Sequence, residues 1–170
     1  MPILLRYPMS KNNLLLNKDF VLGPLYHLNL ICAFTTRHLK NMSFLYGDTE
    51  DSLENRKNFL RELGIDYNDL VCARQVHGSK IRYVKEKDRG CGALSYDSSI
   101  PDTDAFITDK RNLPLAIFTA DCLPIFLYEP TIPVIGLIHA GWRSTKENIA
   151  VKTLQLMKEH FNIRYEDLNV

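Results

Sequence analysis

The stretch "FTADCLPIFLY", residues 118–128, decides how this sequence is interpreted. It joins two apolar runs, each typical of a β-strand, through the polar segment "TADCLP". Strand interiors seldom contain aspartate, yet here Asp121 stands beside Cys122, with Pro124 two residues later. The segment is therefore either an ordinary turn with a cysteine as filler or a turn that presents Cys122 to a site.

The composition is that of an ordinary globular protein. The chain has 170 residues, of which 45% are hydrophobic and 24% are charged, so we expect a single domain over residues 1–170. The formal net charge of +1 gives no reason to expect a nucleic-acid partner, and no apolar run approaches the length of a membrane span. The four cysteines show no C-x-x-C spacing, which predicts a reducing, cytoplasmic location.

The pattern of apolar residues predicts a mixed fold. Strands are expected at "LICAFTTR", "DAFITD", "LPLAIF", "PIFLY" and "PVIGLIH", and helices over residues 51–64 and 145–161. Asp51 and Ser144 are the predicted N-caps, since a glutamate follows each three residues later, as in a capping box. "LVCARQV" and "KIRYV" flank "HGS", which predicts a hairpin with His77 at a strand end. Because strands outnumber helices without strict alternation, the expected class is α+β.

Two arginines are candidates for anion binding. Arg143 precedes the predicted start of the last helix at Thr145, where free backbone N–H groups and the helix dipole favour an anion. Arg56 lies three residues after Leu53 and four before Leu60, on the apolar stripe of its helix, where a guanidinium needs an anion or a carboxylate partner. The alternatives are a solvated Arg143 and an Arg56 that reaches an internal aspartate.

Three soft metal ligands stand at the ends of predicted strands: His77 in "QVHG", Cys122 in "ADCLP" and His139 in "HAGWR". Two imidazoles and one thiolate, with an open fourth position, are typical of catalytic rather than structural zinc. Each residue also has an ordinary interpretation, because a cysteine in an apolar setting usually packs as a small hydrophobe and a histidine at a turn is usually solvated. The remaining histidines lack a comparable setting: His27, His38 and His160.

Four motifs follow one another in the order seen in the laccase-domain family: "RQVHGSKI", "DTDAFITD", "LAIFTADCLPIFLY" and "IGLIHAGWR". The chain resembles this family over roughly residues 30–170. The family comprises the YfiH-like proteins, also called polyphenol oxidases and now described as purine nucleoside phosphorylases. The resemblance implies an α+β fold built on a mixed β-sandwich and a zinc site on His77, Cys122 and His139. It also implies cleavage of purine nucleosides with phosphate, and deamination of adenosine.

The chemistry of these reactions suggests further roles. Water activated by zinc could attack the purine ring, with Asp121 or another nearby aspartate as the acid–base group: Asp102, Asp104 or Asp109. Phosphorolysis of adenosine, inosine or methylthioadenosine needs cations and backbone N–H groups around the phosphate. Arg143 with Thr145 is the first candidate for this role, followed by Arg37 and Arg56.

The sequence also departs from the family. Ser144 and Asn148 stand where glycines are usual, and the family continues beyond the point where this chain ends at "DLNV". "GIDYNDLVC" after the first helix is echoed by "NIRYEDLNV" after the last, and a strand follows the first copy. We therefore expect that part of the family domain is missing, that an unpaired sheet edge favours a homodimer, and that activity is below what the resemblance implies.

Three alternatives stay open for the function. Copper could replace zinc, although five histidines without an H-x-H pair cannot furnish several copper sites. Cys122 could be the nucleophile of a cysteine hydrolase, with His139 or His77 as its base. The chain could also be an inactive or partner-dependent zinc-binding protein.

Overall fold

Two mixed β-sheets lie at the centre of the fold. The computed structural model describes residues 1–6, 19–22 and 30–170. The strands in this part of the chain are β1 (Pro2–Arg6), β2 (Phe20–Leu22), β3 (Leu30–Thr35), β4 (Val71–Cys72), β5 (Ile81–Tyr83), β6 (Ala105–Thr108), β7 (Leu115–Ala116), β8 (Leu123–Glu129) and β9 (Val134–Ala140). The helices are α1 (Thr49–Glu62), α2 (Trp142–Lys146) and α3 (Ile149–Phe161), with short 3₁₀ turns at Arg37–Leu39, Tyr67–Asp69, Glu86–Asp88 and Tyr165–Asp167. None of these helices combines the length and apolar character needed to cross a bilayer.

The strand order joins distant parts of the chain. The first sheet has the order β2-β3-β1-β7-β4, and the second has the order β5-β6-β9-β8. Most neighbours are antiparallel, but β4 pairs with β7, and β5 with β6, in parallel. β8 and β9 form an antiparallel ladder along their whole length. One end of this ladder carries Cys122 and His139.

Side chains of the two sheets pack face to face, and a helix covers each outer face. Phe106 and Leu137 of the second sheet share one buried cluster with Leu30 and Leu115 of the first. α1 covers the first sheet and α3 covers the second through buried apolar residues: Phe59 and Leu60 on α1, Ile149 and Met157 on α3. Burial of each such side chain contributes about 1.5–3 kcal/mol to the free energy of unfolding. The predicted α+β sandwich flanked by helices is confirmed.

The first long helix begins earlier than predicted. α1 starts at Thr49, and its N-cap is Asp48 rather than Asp51. The Asp48 carboxylate accepts hydrogen bonds from the backbone N–H groups of Glu50 at 2.8 Å and Asp51 at 3.0 Å, as a capping side chain does. Asp51 therefore lies in the first turn, where its charge still complements the helix dipole.

The predicted hairpin around "HGS" is wrong. β4 belongs to the first sheet and β5 to the second, so residues 73–80 cross between the sheets instead of turning back. The backbone N–H groups of Val76, His77 and Gly78 donate to the carboxylate of Asp104 rather than to a partner strand. A local apolar pattern cannot reveal this acceptor, because Asp104 lies 26 to 28 residues further along the chain.

The predicted last helix is divided in two. Gly141 is the N-cap of α2, and Ser144 lies inside the helix, where its Oγ accepts the Gly141 N–H at 2.9 Å. The N–H of Thr145 donates to the carbonyl oxygen of Gly141 at 2.8 Å, so no helix starts at Thr145. Asn148, with a left-handed φ of 60° that asparagine tolerates, separates α2 from α3.

β8 is an edge strand of the second sheet, and one of its ends is covered. Tyr128 and Asn169 exchange both of their backbone hydrogen bonds, at 2.9 Å and 2.8 Å. The outer side of β8 from Leu123 to Leu127 has no strand partner in the part of the chain that the structure describes. Leu123 itself is 62% exposed.

Candidate metal centre

The structure brings His77, Cys122 and His139 together at one end of the sandwich. One ligand atom from each residue lies within 4.8 Å of the other two. Bonds of 2.0–2.1 Å to nitrogen and 2.3 Å to sulfur in a tetrahedral site place ligand atoms about 3.5 Å apart. A single ion is therefore within reach of all three after side-chain movements of about 1 Å. The donor set, two imidazoles and a thiolate, fits zinc.

The β8–β9 ladder sets the spacing of two of these ligands. Cys122 directly precedes β8, and His139 lies opposite Pro124 near the end of β9. Gly141 then passes so close that an added Cβ would lie 3.0 Å from the Cys122 Sγ and 3.0 Å from the His77 Cδ2. Glycine at this position therefore keeps the space between the ligands open.

His77 reaches the cluster from the crossing between the sheets. Its backbone adopts a left-handed φ of 59°, which is uncommon for a residue other than glycine. The side chain is exposed, whereas His139 is only 2% exposed. The two imidazole rings meet edge to face, with centroids 4.7 Å apart.

Asp104 orients the buried histidine. Its Oδ1 lies 2.8 Å from the Nδ1 of His139, so Nδ1 carries the proton and Nε2 is left to bind a metal. Burial by itself would raise the pKa of Asp104, but hydrogen bonds from His139 and from the N–H groups of Gly78 and Val76 hold the pKa below its ordinary value. The buried carboxylate therefore stays ionised at neutral pH. The sequence suggested Asp104 only as an acid–base candidate, and four donors now surround it.

Gln75 fixes the segment that leads to Cys122. Its Nε2 donates to the carbonyl oxygen of Phe118 at 2.8 Å, and its Oε1 accepts the N–H of Phe118 at 2.7 Å. The Gln75 side chain thus bonds both backbone groups of Phe118, as a neighbouring strand would, beyond the ends of β4 and β7. No spacing or composition signal in the sequence pointed to Gln75.

The cluster opens onto a cavity of about 540 Å³. All three candidate ligands line it, and so do five aromatic residues: Phe34, Phe44, Tyr46, Tyr96 and Phe118. Asp121, Arg37 and Arg56 also line it. A concave site with aromatic walls and a few convergent polar groups is the usual form of a small-molecule site.

Arg56 is buried in the wall of this cavity, with 2% of its surface exposed. Its Nε donates to the carbonyl oxygen of Met42 at 2.6 Å, and two further carbonyl oxygens accept from Nη1: those of Gly92 at 2.9 Å and Ala93 at 3.1 Å. The guanidinium lies 3.6 Å from the centroid of the Phe44 ring and 4.7 Å from that of Phe118. Burial lowers its pKa. No carboxylate among the described residues pairs with Arg56, so the alternative of an internal aspartate is wrong.

The other predicted anion-binding residues lie at different places. Arg37 is exposed at the rim of the cavity, in the 3₁₀ turn that follows β3. Arg143 is exposed in the first turn of α2, with its guanidinium 4.5 Å from the centroid of the Trp142 ring, and it does not line the cavity. Thr145 is exposed, and its N–H is already bonded within α2.

Of the remaining aspartate and histidine candidates, Asp121 alone lines the cavity among the described residues. Asp121 is exposed and lines the cavity next to Cys122, whereas Asp102 and Asp109 do not line it. Asp109 instead accepts the hydroxyl of Tyr83 at 2.8 Å. The other histidines lie away from the cluster or beyond the description: His38 is exposed, His160 packs on Tyr83, and His27 falls outside the described residues.

The chain is similar in sequence and in fold to known proteins. The chain is 36% identical over 131 residues to the purine nucleoside phosphorylase YlmD of Geobacillus stearothermophilus, covering 76% of this chain and 48% of that protein. It is 30% identical over 105 residues to the adenosine deaminase RL5 of an unknown prokaryotic organism, covering 62% and 40%. The crystal structure of YfiH from Bacillus licheniformis matches with a TM-score of 0.86 at 28% identity, over 90% of this chain and 61% of that one.

The matches cover only part of each relative, and a family model covers most of this chain. The chain spans about half the length of the curated relatives it matches. A family model described as "Multi-copper polyphenol oxidoreductase laccase" matches residues 34–170, a span that contains all three candidate ligands. The chain therefore belongs to the laccase-like polyphenol oxidoreductase family that this model describes.

Proposed function

We propose that the cavity binds a purine nucleoside and phosphate, and that His77, Cys122 and His139 hold a zinc ion beside them. One observation carries the proposal: the ligand cluster, five aromatic side chains and a buried guanidinium that pairs with no carboxylate in the described part of the chain all line the same cavity. Nucleobases stack on aromatic rings, and phosphate is bound by cations. Relatives named purine nucleoside phosphorylase and adenosine deaminase support the same substrate class.

The phosphate is assigned to Arg56 and Arg37. Arg56 presents a buried cation in the cavity wall, and Arg37 adds an exposed one at the rim. Arg143, the first candidate from the sequence, stacks on Trp142 outside the cavity, and the N–H of Thr145 is not free to bind an anion. The geometry therefore favours Arg56 and Arg37 over Arg143 and Thr145.

The metal and one carboxylate would supply the remaining chemistry. Held by His77, Cys122 and His139, zinc would act as a Lewis acid and would lower the pKa of a bound water towards about 7. Asp121 lines the cavity beside Cys122, and we assign to it the transfer of a proton during deamination. Asp104 is unsuited to that role, because its carboxylate already accepts four hydrogen bonds.

The deciding experiment measures turnover of zinc-loaded chain on adenosine and inosine. Phosphorolysis of adenosine yields adenine and ribose 1-phosphate and requires phosphate, whereas deamination yields inosine and ammonia and requires only water. We expect base release to depend on phosphate and both activities to be lost with a chelator. Stoichiometric zinc without turnover would favour an inactive or partner-dependent protein. Absence of zinc binding would refute the proposal.

The assignment of phosphate is tested by a pair of exposed arginines. Arg37→Ala should raise the KM for phosphate about tenfold, the value expected for one charge-assisted hydrogen bond. Arg143→Ala removes the same charge outside the cavity and should leave that KM unchanged. If Arg143→Ala raised this KM and Arg37→Ala did not, phosphate would bind at α2 instead.

A cysteine hydrolase is the second candidate, because His139 lies in space between an acid and a thiol, as in an acid–histidine–nucleophile triad. Its ring contacts the Asp104 carboxylate on one side, and a ring nitrogen lies within 4.8 Å of the Cys122 Sγ. The convergence of a second histidine, His77, on the same thiol favours a metal instead. Alkylation of Cys122 by iodoacetamide separates the two. Zinc should protect a ligand thiolate from the reagent, and it should not be needed for activity if the thiolate is the nucleophile.

Copper chemistry is the third possibility, since the family description names copper. Four-electron reduction of dioxygen uses several copper ions, whereas the described residues form one three-residue group able to hold a metal. We therefore propose zinc as the resident ion. Metal analysis of the purified protein, followed by an assay for polyphenol oxidation after copper loading, decides between them.

A further inference from the structure

A single carboxylate contacts both of the segments that supply the histidine ligands. The Oδ1 of Asp104 lies 2.8 Å from the His139 Nδ1 and accepts the backbone N–H of His77 at 3.0 Å. Its Oδ2 accepts the N–H groups of Gly78 at 2.9 Å and Val76 at 3.2 Å. Asp104 is completely buried, so no solvent competes for these four bonds.

The bond to His139 decides which ring nitrogen can bind a metal. A carboxylate can only accept a hydrogen bond, so Nδ1 of the neutral ring must carry the proton and Nε2 keeps its lone pair. Main-chain bonds strengthen this arrangement. The N–H of His139 donates to the Asp104 carbonyl oxygen at 2.8 Å, and the Asp104 N–H donates to the carbonyl oxygen of Lys80 at 3.0 Å.

The bonds to the turn decide where His77 points. Three successive N–H groups, from Val76 to Gly78, converge on one carboxylate, as backbone groups do in an anion-binding turn. The central residue, His77, has the left-handed φ of 59°. Three hydrogen bonds to Asp104 therefore hold a turn whose central residue has a backbone conformation that is uncommon outside glycine.

We propose that Asp104 is the positioning residue of the metal centre and sets both histidine ligands at once. It selects the Nε2-binding tautomer of His139 through one oxygen and holds the backbone of His77 through both. The inference rests on the metal-binding part of the proposed function. It predicts that ligand geometry depends on the charge and acceptor character of one side chain that never touches the metal.

The test compares Asp104→Asn with Asp109→Asn. Asp104 directly precedes strand β6 and Asp109 directly follows it. The Asp109 carboxylate accepts the Tyr83 hydroxyl, and Asp109 does not line the cavity. An amide cannot accept from all four donors, because its NH₂ must face either the His139 ring or the turn. We expect Asp104→Asn to bind Zn²⁺ and Co²⁺ 10- to 100-fold more weakly and to alter the visible Co²⁺ spectrum. Asp109→Asn should change neither. Equal affinities and spectra for Asp104→Asn and the unsubstituted chain would overturn the proposal.

A measurement on the unsubstituted, metal-free chain keeps the proposal testable if Asp104→Asn does not fold. Nitrogen-15 NMR should show that the neutral form of the His139 ring carries its proton on Nδ1 and leaves Nε2 unprotonated. A neutral ring that carries its proton on Nε2 instead of Nδ1 would contradict the role of Asp104. Failure of the unsubstituted chain to bind either metal would instead count against the proposed function, while the ring tautomer would still report on Asp104.

Discussion

A buried carboxylate gathers backbone N–H groups at each end of the β8–β9 ladder. At the turn between the two strands, Glu129 accepts from the N–H and the hydroxyl of Thr131, at 2.9 Å and 2.7 Å, and from the N–H of Ile132. At the other end, Asp104 accepts from the 76–78 turn and from the ring of His139. Burial opposes ionisation of both groups, and hydrogen bonds hold both pKa values below the ordinary range.

The two carboxylates differ in where their donors come from. All donors to Glu129 lie within three residues of it, so this carboxylate closes one turn. The donors to Asp104 come from two segments that are about 60 residues apart along the chain. Both carboxylates accept hydrogen bonds from backbone N–H groups. Glu129 stabilises a single turn, whereas Asp104 holds together two distant segments that form the site.

The largest expected effect is the loss of zinc affinity when a ligand is removed at the Asp104 end of the ladder. An apparent free energy of zinc binding of about 10 kcal/mol, shared by three ligands, corresponds to a loss of affinity of roughly 250-fold for Cys122→Ala. Chelator-competition titration measures this loss. The thermal midpoint of the metal-free chain should change little, because Cys122 is only half-buried. Undiminished zinc affinity in Cys122→Ala would exclude Cys122 as a ligand.

Neutralising the other carboxylate should affect stability alone. We expect Glu129→Gln to lower the free energy of unfolding by about 2 kcal/mol, because an amide cannot accept from every donor of the turn. Urea titration at pH 7 measures the change, and zinc affinity should be unaltered. A parallel loss of zinc affinity would show that the two ends of the ladder are coupled.

The same variant carries a pH signature. The folded-state pKa of Glu129 lies below its ordinary value of 4.5. Its contribution is therefore complete above about pH 4.5 and is lost as the pH falls through the folded-state pKa. Between pH 7 and pH 3, the unsubstituted chain should lose more stability than Glu129→Gln. Identical pH profiles would show that Glu129 does not titrate with a lowered pKa.

Crowding the ligands should have a smaller effect. Gly141 has φ −80° and ψ 173°, which alanine adopts freely, but the added Cβ would press on Cys122 and His77. We expect Gly141→Ala to weaken zinc binding about tenfold, since overpacking costs about 1–3 kcal/mol. Gly64→Ala is the control, because Gly64 has a positive φ of 69° and open space around it. It should lose stability without losing zinc affinity.

The smallest expected effect concerns self-association through β8, which stays a prediction. Asn169 already covers Tyr128, and Pro124 has no N–H to offer. The open part of the edge is therefore short, and we expect only weak dimers at high protein concentration. Sedimentation velocity over a range of concentrations measures this, and Leu123→Lys should abolish it by placing a charge on the edge. A tight dimer that survives Leu123→Lys would locate the interface elsewhere.

The sequence was informative where chemistry and local pattern coincide. Cys122 and His139 are metal-binding residue types at strand ends, as predicted, whereas His77 lies in the crossing between the sheets. The sandwich follows from apolar strand patterns together with the family motifs. The hairpin prediction failed because β4 and β5 pair with β7 and β6, which come later in the chain. A window of ten residues contains no information about those partners.

The positions of the arginines show a second limit. The periodicity of α1 correctly placed Arg56 on the buried stripe, but its carbonyl partners at Gly92 and Ala93 lie more than 35 residues away. The capping-box pattern at Ser144 predicts that Arg143 lies just before a helix N-terminus, whereas Gly141 caps the helix and Arg143 is exposed in its first turn. Because the cap lies three residues earlier than predicted, the N–H of Thr145 is bonded within α2 and Arg143 does not line the cavity.

The hydrogen bonds from three backbone amides to Asp104 should slow the exchange of those amide hydrogens with solvent. Residues 76–78 include exposed side chains and lie outside any strand, so their amide hydrogens would ordinarily exchange with solvent within seconds. Bonded to a fully buried acceptor, these hydrogens can exchange only when their hydrogen bonds to the Asp104 carboxylate break. Their exchange in deuterated water should therefore be as slow as that of the strands beside them.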